Sequence, residues 1–486
     1  MRGDFGALTA RPAPTDAGER PSRLASATAC GYALVVAAGI AHFLLAIPIQ
    51  LTDSFGNMLK LETGWRDLLV REFTQRSYMR PFLWAELKLV YDASAGHYAA
   101  WFRGTHALQV LALVCLFLAL LRPRTWRDAL LVPLGLGVLI GLHTFRGTVD
   151  EAFPINTFLT IVLCCLAAAN LAFLRHRWWV DVLASVVFAV AALTVETGLL
   201  VWVVFAAAAL LGARGVSRAG LGVLTAMLAG YFVLRFAVLE VGAPGLMERA
   251  SGYGFGILEP RELVERFGDA PWRFYAYNIA SSVLTVLFSE PRGGVFRLTY
   301  GAIAGQPEPS AIVNVLASLG ATTLLVLFAW RRRAAWRAKR FDGDDRLVLL
   351  FPPLLAANAA ISYAYTKDVI MSPAGTFFAV AVFAAARGLI RGGAGPRRPW
   401  TYAAVLVCSL LLGTTWAVRS VSLHRHLREM ARKVRTEWVY ADDWFARERI
   451  DLTPVAAQTL LRRLRDDAIN RQPPVPFPLA HRVLID

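Results

Sequence analysis

The chain has 486 residues, of which 56% are hydrophobic and 18% are charged, and its mean hydropathy is +0.47. Soluble domains spread apolar residues at periods of 2 or 3.6, whereas here they form long runs, which excludes an ordinary globular protein. The formal net charge of +16 comes largely from basic residues in short connections between these runs. This distribution argues against nucleic acid as a partner and predicts an all-α polytopic membrane protein.

The chain begins with a segment unlike the rest. Residues 1–29 are rich in Pro, Arg and Ala without periodicity, so we expect a disordered cytoplasmic tail. The next run, residues 31–51, contains no Asp, Glu, Lys or Arg and is long enough to cross a hydrocarbon core of about 30 Å. It would serve as an uncleaved signal anchor. The five cysteines lie in or beside apolar runs without a CxxC pair, so no disulfide framework or zinc site is predicted.

Ten further apolar runs follow, which gives about eleven predicted transmembrane helices in a domain that covers residues 30–417. Their approximate ranges are 105–121, 129–145, 154–174, 178–195, 198–212, 220–239, 311–330, 347–365, 373–390 and 401–417. Basic residues collect in every turn that this count places inside. The positive-inside rule therefore predicts a cytoplasmic N-terminus and an extracytoplasmic C-terminus. We expect a multi-pass protein of a bacterial-type plasma (inner) membrane.

The remaining segments are predicted to lie outside. A long first outer loop, residues 52–104, is expected to contain short helices, and a second long loop covers residues 240–310. Within it, residues 278–291 are too short to cross and are typical of a half-helix or re-entrant segment. Residues 418–486 are predicted to form a small extracytoplasmic helical segment. There Leu427, Met430, Val434 and Trp438 share one helical face, which suits a helix in the outer interface or one packed on the bundle.

Acidic residues collect on the predicted outer face. Asp53 follows the first run, Asp150 and Glu151 follow the third, and Glu196 separates the fifth from the sixth. A carboxylate at the membrane boundary can deprotonate an acceptor hydroxyl or amine, or hold a divalent cation that offsets phosphate charge. Each acid taken alone also fits an ordinary solvated loop residue. If the first six spans pack compactly, these acids converge on one cavity.

Cations are available on the same face. An Arg offers a bidentate fork for phosphate oxygens and a Lys offers a point charge. Arg103 and His106 are three residues apart and share a helical face. The alternative is that these side chains snorkel to lipid headgroups. The candidates for a phosphate contact are Arg80, Lys88, Arg103, His106, Arg292, Arg297 and Lys367.

The order of these features resembles the GT-C superfamily of membrane glycosyltransferases, and is similar to the protein mannosyltransferase and aminoarabinose transferase type. The similar segments, within about residues 31–391, are SYMRPF, LKLVYDASAGHYAAWFRGTHALQVLALVCLFLALLR, VDEAF, VETGLL, YAYTKD and SPAGTFFAVA. Two features depart from the family pattern. The first outer loop has Asp53 followed by Ser54 instead of a pair of acids, and Trp178-Trp179 falls on the cytoplasmic side, so no WWD signature is present outside.

This resemblance implies a polyprenyl-phosphate-linked sugar as the donor and a lipid, glycan or protein as the acceptor, with transfer on the extracytoplasmic face. Asp53 would be the general base, and Asp150 or Glu151 the second-loop acid. Because Asp53 is not paired with a neighbouring acid in the first loop, the resemblance favours chemistry without a metal, with a divalent cation as the alternative. The donor phosphate would be bound by Arg80, Arg103, His106 and Lys367, with Glu196 and Arg292 as secondary candidates.

Two other functions stay open. A transporter or lipid flippase would place ionisable groups near the bilayer midplane, where the predicted spans offer mainly His42. The chain also lacks the two matched halves that many transporters have. A polymerase or ligase of polyprenyl-linked glycans would use a large outer loop with arginines, and residues 240–310 provide such a loop.

Overall fold

The computed structural model describes residues 21–74, 79–150, 157–240, 250–269, 271–291, 293–306, 308–393 and 399–472, without the side chains of residues 53, 72–74, 150, 392–393 and 399–402. This part of the chain is nearly all α-helical. Its strands are β1 (Ala250–Gly252) and β2 (Phe255–Leu258), which pair antiparallel. Residues 1–20 of the predicted disordered tail, Glu151 and Arg292 lie outside the described residues. Residues 23–29, also predicted as disordered, instead form the start of α1, whose N-cap is Ser22.

The described residues form the following helices in chain order. They are α1 (Arg23–Leu45), α2 (Thr52–Lys60), α3 (Trp65–Thr74), α4 (Pro81–Ala93), α5 (Tyr98–Leu121), α6 (Trp126–Gly141), α7 (His143–Asp150), α8 (Thr157–Ala172), α9 (Trp178–Ala192), α10 (Leu200–Leu210), α11 (Arg218–Phe232), α12 (Pro260–Phe267), α13 (Trp272–Phe288), α14 (Val295–Ile303), α15 (Pro309–Arg337), α16 (Gly343–Ile361), α17 (Ser372–Gly393), α18 (Pro399–Val439), α19 (Ala441–Glu448) and α20 (Val455–Asn470). Two 3-10 helices (Glu196–Leu199 and Asp368–Met371) and a π-helix (Val233–Val238) complete the set.

The chain is a multi-pass membrane protein. Among the described helices, α1, α5, α11 with its π-helix, α15, α17 with its preceding 3-10 turn, and α18 are long and apolar enough to cross a bilayer. The pair α6 and α7, bent by 70°, adds a seventh candidate. Helices α8, α9 and α10 lie on predicted spans but are shorter, and α16 begins with three charged residues. Length and composition therefore support six to seven candidate spans among the described helices.

The helices run between two ends of one bundle. At one end the start of α1 meets the connection between α5 and α6, where the Ser22 N–H donates to the Arg124 carbonyl over 2.8 Å. The starts of α6 and α16 meet the end of α17 there, because Arg391 pairs with Asp128 at 3.3 Å and with Asp344 at 3.5 Å. We call this the Arg-rich end. The loops that carry the predicted site residues lie at the opposite end.

Helix α17 is the centre of the bundle. Its residues from Phe377 to Ala386 are fully buried, and it packs against α6, α15, α16 and α18. Five of these residues are alanines, which allow neighbouring helix backbones to approach closely, as is usual between membrane helices. Gly135 of α6 provides a similar approach, since a Cβ there would lie 3.2 Å from the Phe383 side chain. In lipid the hydrophobic effect does not drive helices together, so close packing at small residues stabilises their association instead.

Helix α18 differs from the predicted boundary at residue 418, because it continues unbroken through it for 41 residues. No Pro or Gly occurs between Thr414 and Val439 to end the helix. The predicted apolar face is buried at Leu427, Val434 and Trp438, and the Trp438 indole N–H donates to the Ile49 carbonyl over 2.7 Å. The face therefore packs on the bundle, which was one of the two alternatives.

A buried ion pair at the Arg-rich end makes a prediction about stability. Arg387 donates from Nε to Asp344 over 2.7 Å, and both side chains are nearly inaccessible to solvent. The variant Asp344→Asn leaves the guanidinium buried without its carboxylate, so we expect a loss of about 3–5 kcal/mol in unfolding free energy. Equilibrium unfolding in mixed micelles measures this loss. The control Glu429→Gln, which breaks the exposed pair with Arg425, should cost at most about 1 kcal/mol.

Candidate functional site

Asp53 lies in the first turn of α2, where the chain leaves the first candidate span. Two side chains hold the segment that leads into this helix. Arg103 of α5 donates to the carbonyls of Ile47 and Pro48, each over 3.0 Å, and Trp438 holds the next carbonyl from the other side. The position of the Asp53 backbone is therefore fixed by α5 and α18, while its side chain lies outside the described residues.

Arg103 and His106 are brought together as their spacing predicts. The Arg103 Nη1 atom lies 3.2 Å from the His106 Nδ1 atom, and both side chains are buried. The Nε and Nη2 atoms of Arg103 donate to the carbonyls of Ile47 and Pro48, so the geometry gives Arg103 a positioning role for the segment that enters α2. The predicted phosphate contact of these two residues stays a prediction.

Arg80 and Glu196 form the core of a charged cluster at the opposite end. Arg80 precedes α4, whose start is fixed by the Phe82 N–H donating to the Leu193 carbonyl at the end of α9. The Arg80 Nη2 atom lies 3.0 Å from one Glu196 oxygen, and the Arg235 Nη2 atom lies 2.8 Å from the other. Two guanidiniums thus share one carboxylate. Guanidiniums offer forked donors to an anion, so this cluster is a candidate anion site.

Arg235 is a member of this cluster that sequence reasoning missed. It lies in the π-helix that ends the α11 span, and its Nη1 atom donates to the Tyr231 hydroxyl over 2.6 Å. Its Nε is buried without a hydrogen-bond partner among the described residues. A π-turn commonly marks a functional position, because it redirects one side chain out of the helical register. The available signal was an arginine inside an apolar run, where a charge needs a partner.

The electrostatics of Glu196 follow from this arrangement. Burial alone would raise the pKa of this carboxyl, but the guanidiniums of Arg80 and Arg235 outweigh it and bring the pKa below its usual value. Glu196 is therefore ionised at neutral pH, and it keeps the two guanidiniums in place in the absence of another anion. Glu196, predicted above as a secondary candidate at the donor-phosphate site, thus lies as a counterion between two cations.

The second-loop helix α7 packs on the late loop that contains YAYTKD. A Cβ added to Gly147 would lie 3.0 Å from the Val369 Cβ atom, which brings α7 against the 3-10 turn that follows Lys367. Asp150 ends α7, although its side chain lies outside the described residues. Lys367 is exposed, with its Nζ atom 5.0 Å from the centre of the Tyr365 ring. The elements that carry Asp150 and Lys367 are thus neighbours.

Contacts from residues 250–288 hold the late loop in place. Ser251 of β1 forms a parallel bridge with Tyr365, and Asn278 of α13 donates to the carbonyls of Ser251 (3.1 Å) and Tyr363 (2.8 Å). Asn278 is fully buried, and Thr285 donates to Asp368 over 3.2 Å. These contacts explain why the segment predicted as a half-helix matters, since α13 holds the loop that presents Lys367.

Glu86 is a second residue that sequence reasoning missed. It points from α4 into the bundle, where the Gln109 amide of α5 donates to it over 3.3 Å and to Thr160 of α8 over 3.1 Å. Glu86 Oε2 and Gln109 Oε1 are buried and have no hydrogen-bond partner among the described residues. Burial raises the pKa of Glu86 to about 7. A carboxyl with such a pKa can exchange a proton near neutral pH.

The described residues contain no group of three or more His, Cys, Asp or Glu side chains placed to hold a metal ion. The three acids most relevant to that question, Asp53, Asp150 and Glu151, have side chains beyond the described part. Metal-independent chemistry therefore stays a prediction.

The raised pKa of Glu86 predicts a pH-dependent stability with a definite sign. The folded state binds the proton more tightly than the unfolded state, so this contribution is fully present below about pH 4.5 and is lost as the pH rises through 7. The loss amounts to up to about 3 kcal/mol, at about 1.4 kcal/mol per pKa unit. Thermal unfolding in micelles from about pH 5 to about pH 8 should show this trend in the wild type and not in Glu86→Gln. Equal pH dependence in the two proteins would contradict it.

Comparison with protein-family models, with curated proteins and with solved structures finds no match to this chain. The candidate site is therefore defined by its own residues and contacts.

Proposed function

We propose that this chain is an integral membrane glycosyltransferase of the GT-C type, which moves a sugar from a polyprenyl-phosphate donor to a lipid, glycan or protein acceptor. The observation that carries the proposal is the cluster in which Arg80 and Arg235 share the single carboxylate of Glu196. A donor whose isoprenoid tail lies in lipid presents its phosphate at the membrane boundary. The guanidiniums of Arg80 and Arg235 offer forked donors that match phosphate oxygens.

The proposed reaction uses Asp53 as the general base. Its carboxylate takes the proton of an acceptor hydroxyl, and the acceptor oxygen attacks the anomeric carbon of the sugar. The bond between that carbon and the phosphate oxygen breaks, and polyprenyl phosphate leaves with the electron pair. Arg80 and Arg235 would stabilise the charge that develops on the leaving phosphate, which preorganised guanidiniums do well in a site of low dielectric constant. Asp150 or Glu151 would act from the second loop.

The topology that we propose has about eleven spans in a bacterial-type plasma membrane, with the N-terminus in the cytoplasm and the C-terminus outside. Two observations support it. Each of the eleven predicted runs lies on a helix, and the Arg-rich end collects the connections whose basic residues the positive-inside rule assigns to the cytoplasm. Helices α8, α9 and α10 would cross as short spans packed within the bundle, where local bilayer thinning is tolerated.

The alternative functions lead to different products. A glycan polymerase or ligase would use the same donor and the same face, and would extend or transfer a chain instead of one sugar. A transporter or flippase would move its ligand without breaking the bond between sugar and phosphate. Product analysis after incubation with a polyprenyl-phosphate sugar separates these cases.

Substitution of the proposed base should abolish turnover with little effect on folding. We expect Asp53→Asn to lower the release of polyprenyl phosphate by at least about 100-fold, the usual contribution of a general base. The assay uses protein in nanodiscs with a panel of labelled hexosyl and pentosyl polyprenyl phosphates. Glu429→Gln serves as a control on an exposed acid. Wild-type turnover in Asp53→Asn would remove the assignment of the base, and no reaction of any donor with the wild type would contradict the proposed function.

The proposed orientation makes a separate prediction. In a background where the exposed thiols of Cys30, Cys115 and Cys408 are replaced by Ser, a membrane-impermeant maleimide should label Lys367→Cys in intact cells. Arg331→Cys should react only after the membrane is permeabilised, because it lies at the Arg-rich end. The opposite pattern would invert the topology, and the proposed extracytoplasmic chemistry would then fail.

A further inference from the structure

A basic surface lies on the half of α18 that follows the predicted span 401–417. Over residues 424–438 the sequence contains five cations and two acids. We call the surface formed by the five cations the basic face of α18. Its members are Arg425, Arg428, Arg432, Lys433 and Arg435. Arg425, Arg432 and Lys433 are exposed, while Arg428 and Arg435 are half-buried beside the packed side of the helix.

The opposite side of the same helical segment holds it rigidly in place. Leu423, Leu427, Ala431, Val434 and Trp438 are buried, at spacings of three and four residues. They pack towards α1, α2 and α20, and the Trp438 indole fixes the end of this segment to the Ile49 carbonyl. The cations are therefore presented on a fixed scaffold, which lowers the entropy lost when they bind a ligand.

Most of this charge is not neutralised within the chain. Arg425 pairs with Glu429 at 2.8 Å, an exposed i,i+4 pair. No carboxylate of the described residues lies within 4.0 Å of the basic groups of Arg428, Arg432, Lys433 or Arg435. Arg432 and Lys433 are exposed to solvent, and Lys433 interacts electrostatically with Glu437. With five cations against two acids, the segment keeps an excess positive charge that is available to an external anion.

The location of the basic face is unusual for a membrane protein. Helix α18 runs parallel to α6, because Gly413 lies against Leu134 and Arg419 lies against Gly141, so that the contacts advance in the same direction along both helices. Residues beyond Arg419 therefore extend past the end of α6, away from the Arg-rich end. Both ends of the bundle thus carry basic clusters, and the positive-inside rule accounts for one of them in either orientation. In the topology proposed above, on which this inference rests, the basic face of α18 is the translocated cluster and requires another explanation, such as a ligand.

The length of α18 indicates where that ligand lies. A helix of 41 residues is about 62 Å long, about twice the thickness of a hydrocarbon core. From Arg419, which is buried among the serines of α13 and α15, to Arg432 the helix rises by about 20 Å. A headgroup layer is only about 5–8 Å thick on each side. Arg432, Lys433 and Arg435 therefore extend beyond the headgroups into water.

We propose that the basic face of α18 is a docking surface for a polyanion in the aqueous phase outside the membrane, a polymer with repeated phosphate or carboxylate groups. Four of its five cations are arginines, whose forked guanidinium matches both kinds of anion. Their spacing along one helix suits a ligand with regularly repeated charges. This inference does not depend on the proposed glycosyl transfer, since a transporter or polymerase would have the same surface.

The test measures binding at this surface alone. A fluorophore attached at Thr436→Cys, in the background without Cys30, Cys115 and Cys408, reports energy transfer from labelled inorganic polyphosphate. The protein is held in nanodiscs of zwitterionic lipid. We expect saturable transfer that weakens with salt, as counterion release requires. Conversion of Arg432, Lys433 and Arg435 to Gln should weaken binding at least about tenfold.

The Arg-rich end provides a matched control. Conversion of Arg331, Arg333 and Arg337 to Gln removes the same charge from the end of α15, which Arg332 joins to the start of α16 through Asp345. The transfer at residue 436 should not change in this variant. Equal losses in the two triple variants would reduce the effect to net charge and overturn the proposal.

A second arm separates the polyanion from lipid headgroups. If nanodiscs with anionic lipid abolish the transfer at residue 436 at constant salt, the lipids themselves occupy the face, and the proposal is overturned. If transfer persists, the polyanion docks above the headgroups as proposed. Thermal unfolding of the triple variant at residues 432, 433 and 435 should match that of the wild type, because its apolar stripe is intact. If this variant folds normally but loses energy transfer, the loss is caused by the missing cations of the basic face.

Discussion

A backbone amide or carbonyl without a partner costs several kcal/mol in hydrocarbon, and a charge there costs more. Most of the described fold obeys this constraint, and the exceptions include the buried Glu86 Oε2, Gln109 Oε1 and Arg235 Nε atoms, which have no hydrogen-bond partner among the described residues. The segments within the bundle are helices whose backbone groups bond within the helix, and the charged side chains gather at two ends. Where a charge does lie inside, it has specific partners: Asp344 holds Arg387, and Arg419 is held by the hydroxyls of Ser289 and Ser318. The position of every polar group that chemistry requires follows from this separation.

The same constraint shapes the candidate site. Loops leave the bundle at the opposite end, and they are tied to it by side chains that satisfy exposed carbonyls. Arg103 and Trp438 bind the segment before α2, and Asn278 binds the loop before Lys367. Several polar residues therefore have a positioning role. The cluster of Arg80, Glu196 and Arg235 differs, because two guanidiniums meet on one carboxylate.

Much of the fold was predictable from the sequence, because hydrophobic runs of sufficient length have few alternatives to a helix in a membrane. The all-α class and the multi-pass character follow from the runs, and the three short helices of the first outer segment lie where the loop was predicted. Crossing by all eleven runs stays a prediction, since α8, α9 and α10 are short. The break expected near residue 418 does not occur, because no Pro or Gly between Thr414 and Val439 ends the helix.

The site was less predictable, because partners are decided by tertiary packing. Nothing local distinguishes Glu86 from any polar residue of an amphipathic helix; only the approach of Gln109 and Thr160 makes it unusual. Arg103 and His106 were correctly expected to meet from their spacing, but the carbonyls that Arg103 binds lie more than 50 residues away in the chain. The pairing of Arg80 with Glu196 likewise joins distant segments.

The π-turn at the end of α11 has a consequence for the cluster of Arg80, Glu196 and Arg235. A π-turn contains one more residue than an ordinary turn, and successive residues of an α-helix are rotated by about 100°. In regular α-helical geometry the residues on either side of this turn would be rotated relative to one another, and Arg235 would leave its place beside Glu196. The ion pair between Arg235 and Glu196 therefore depends on the π-geometry of this turn.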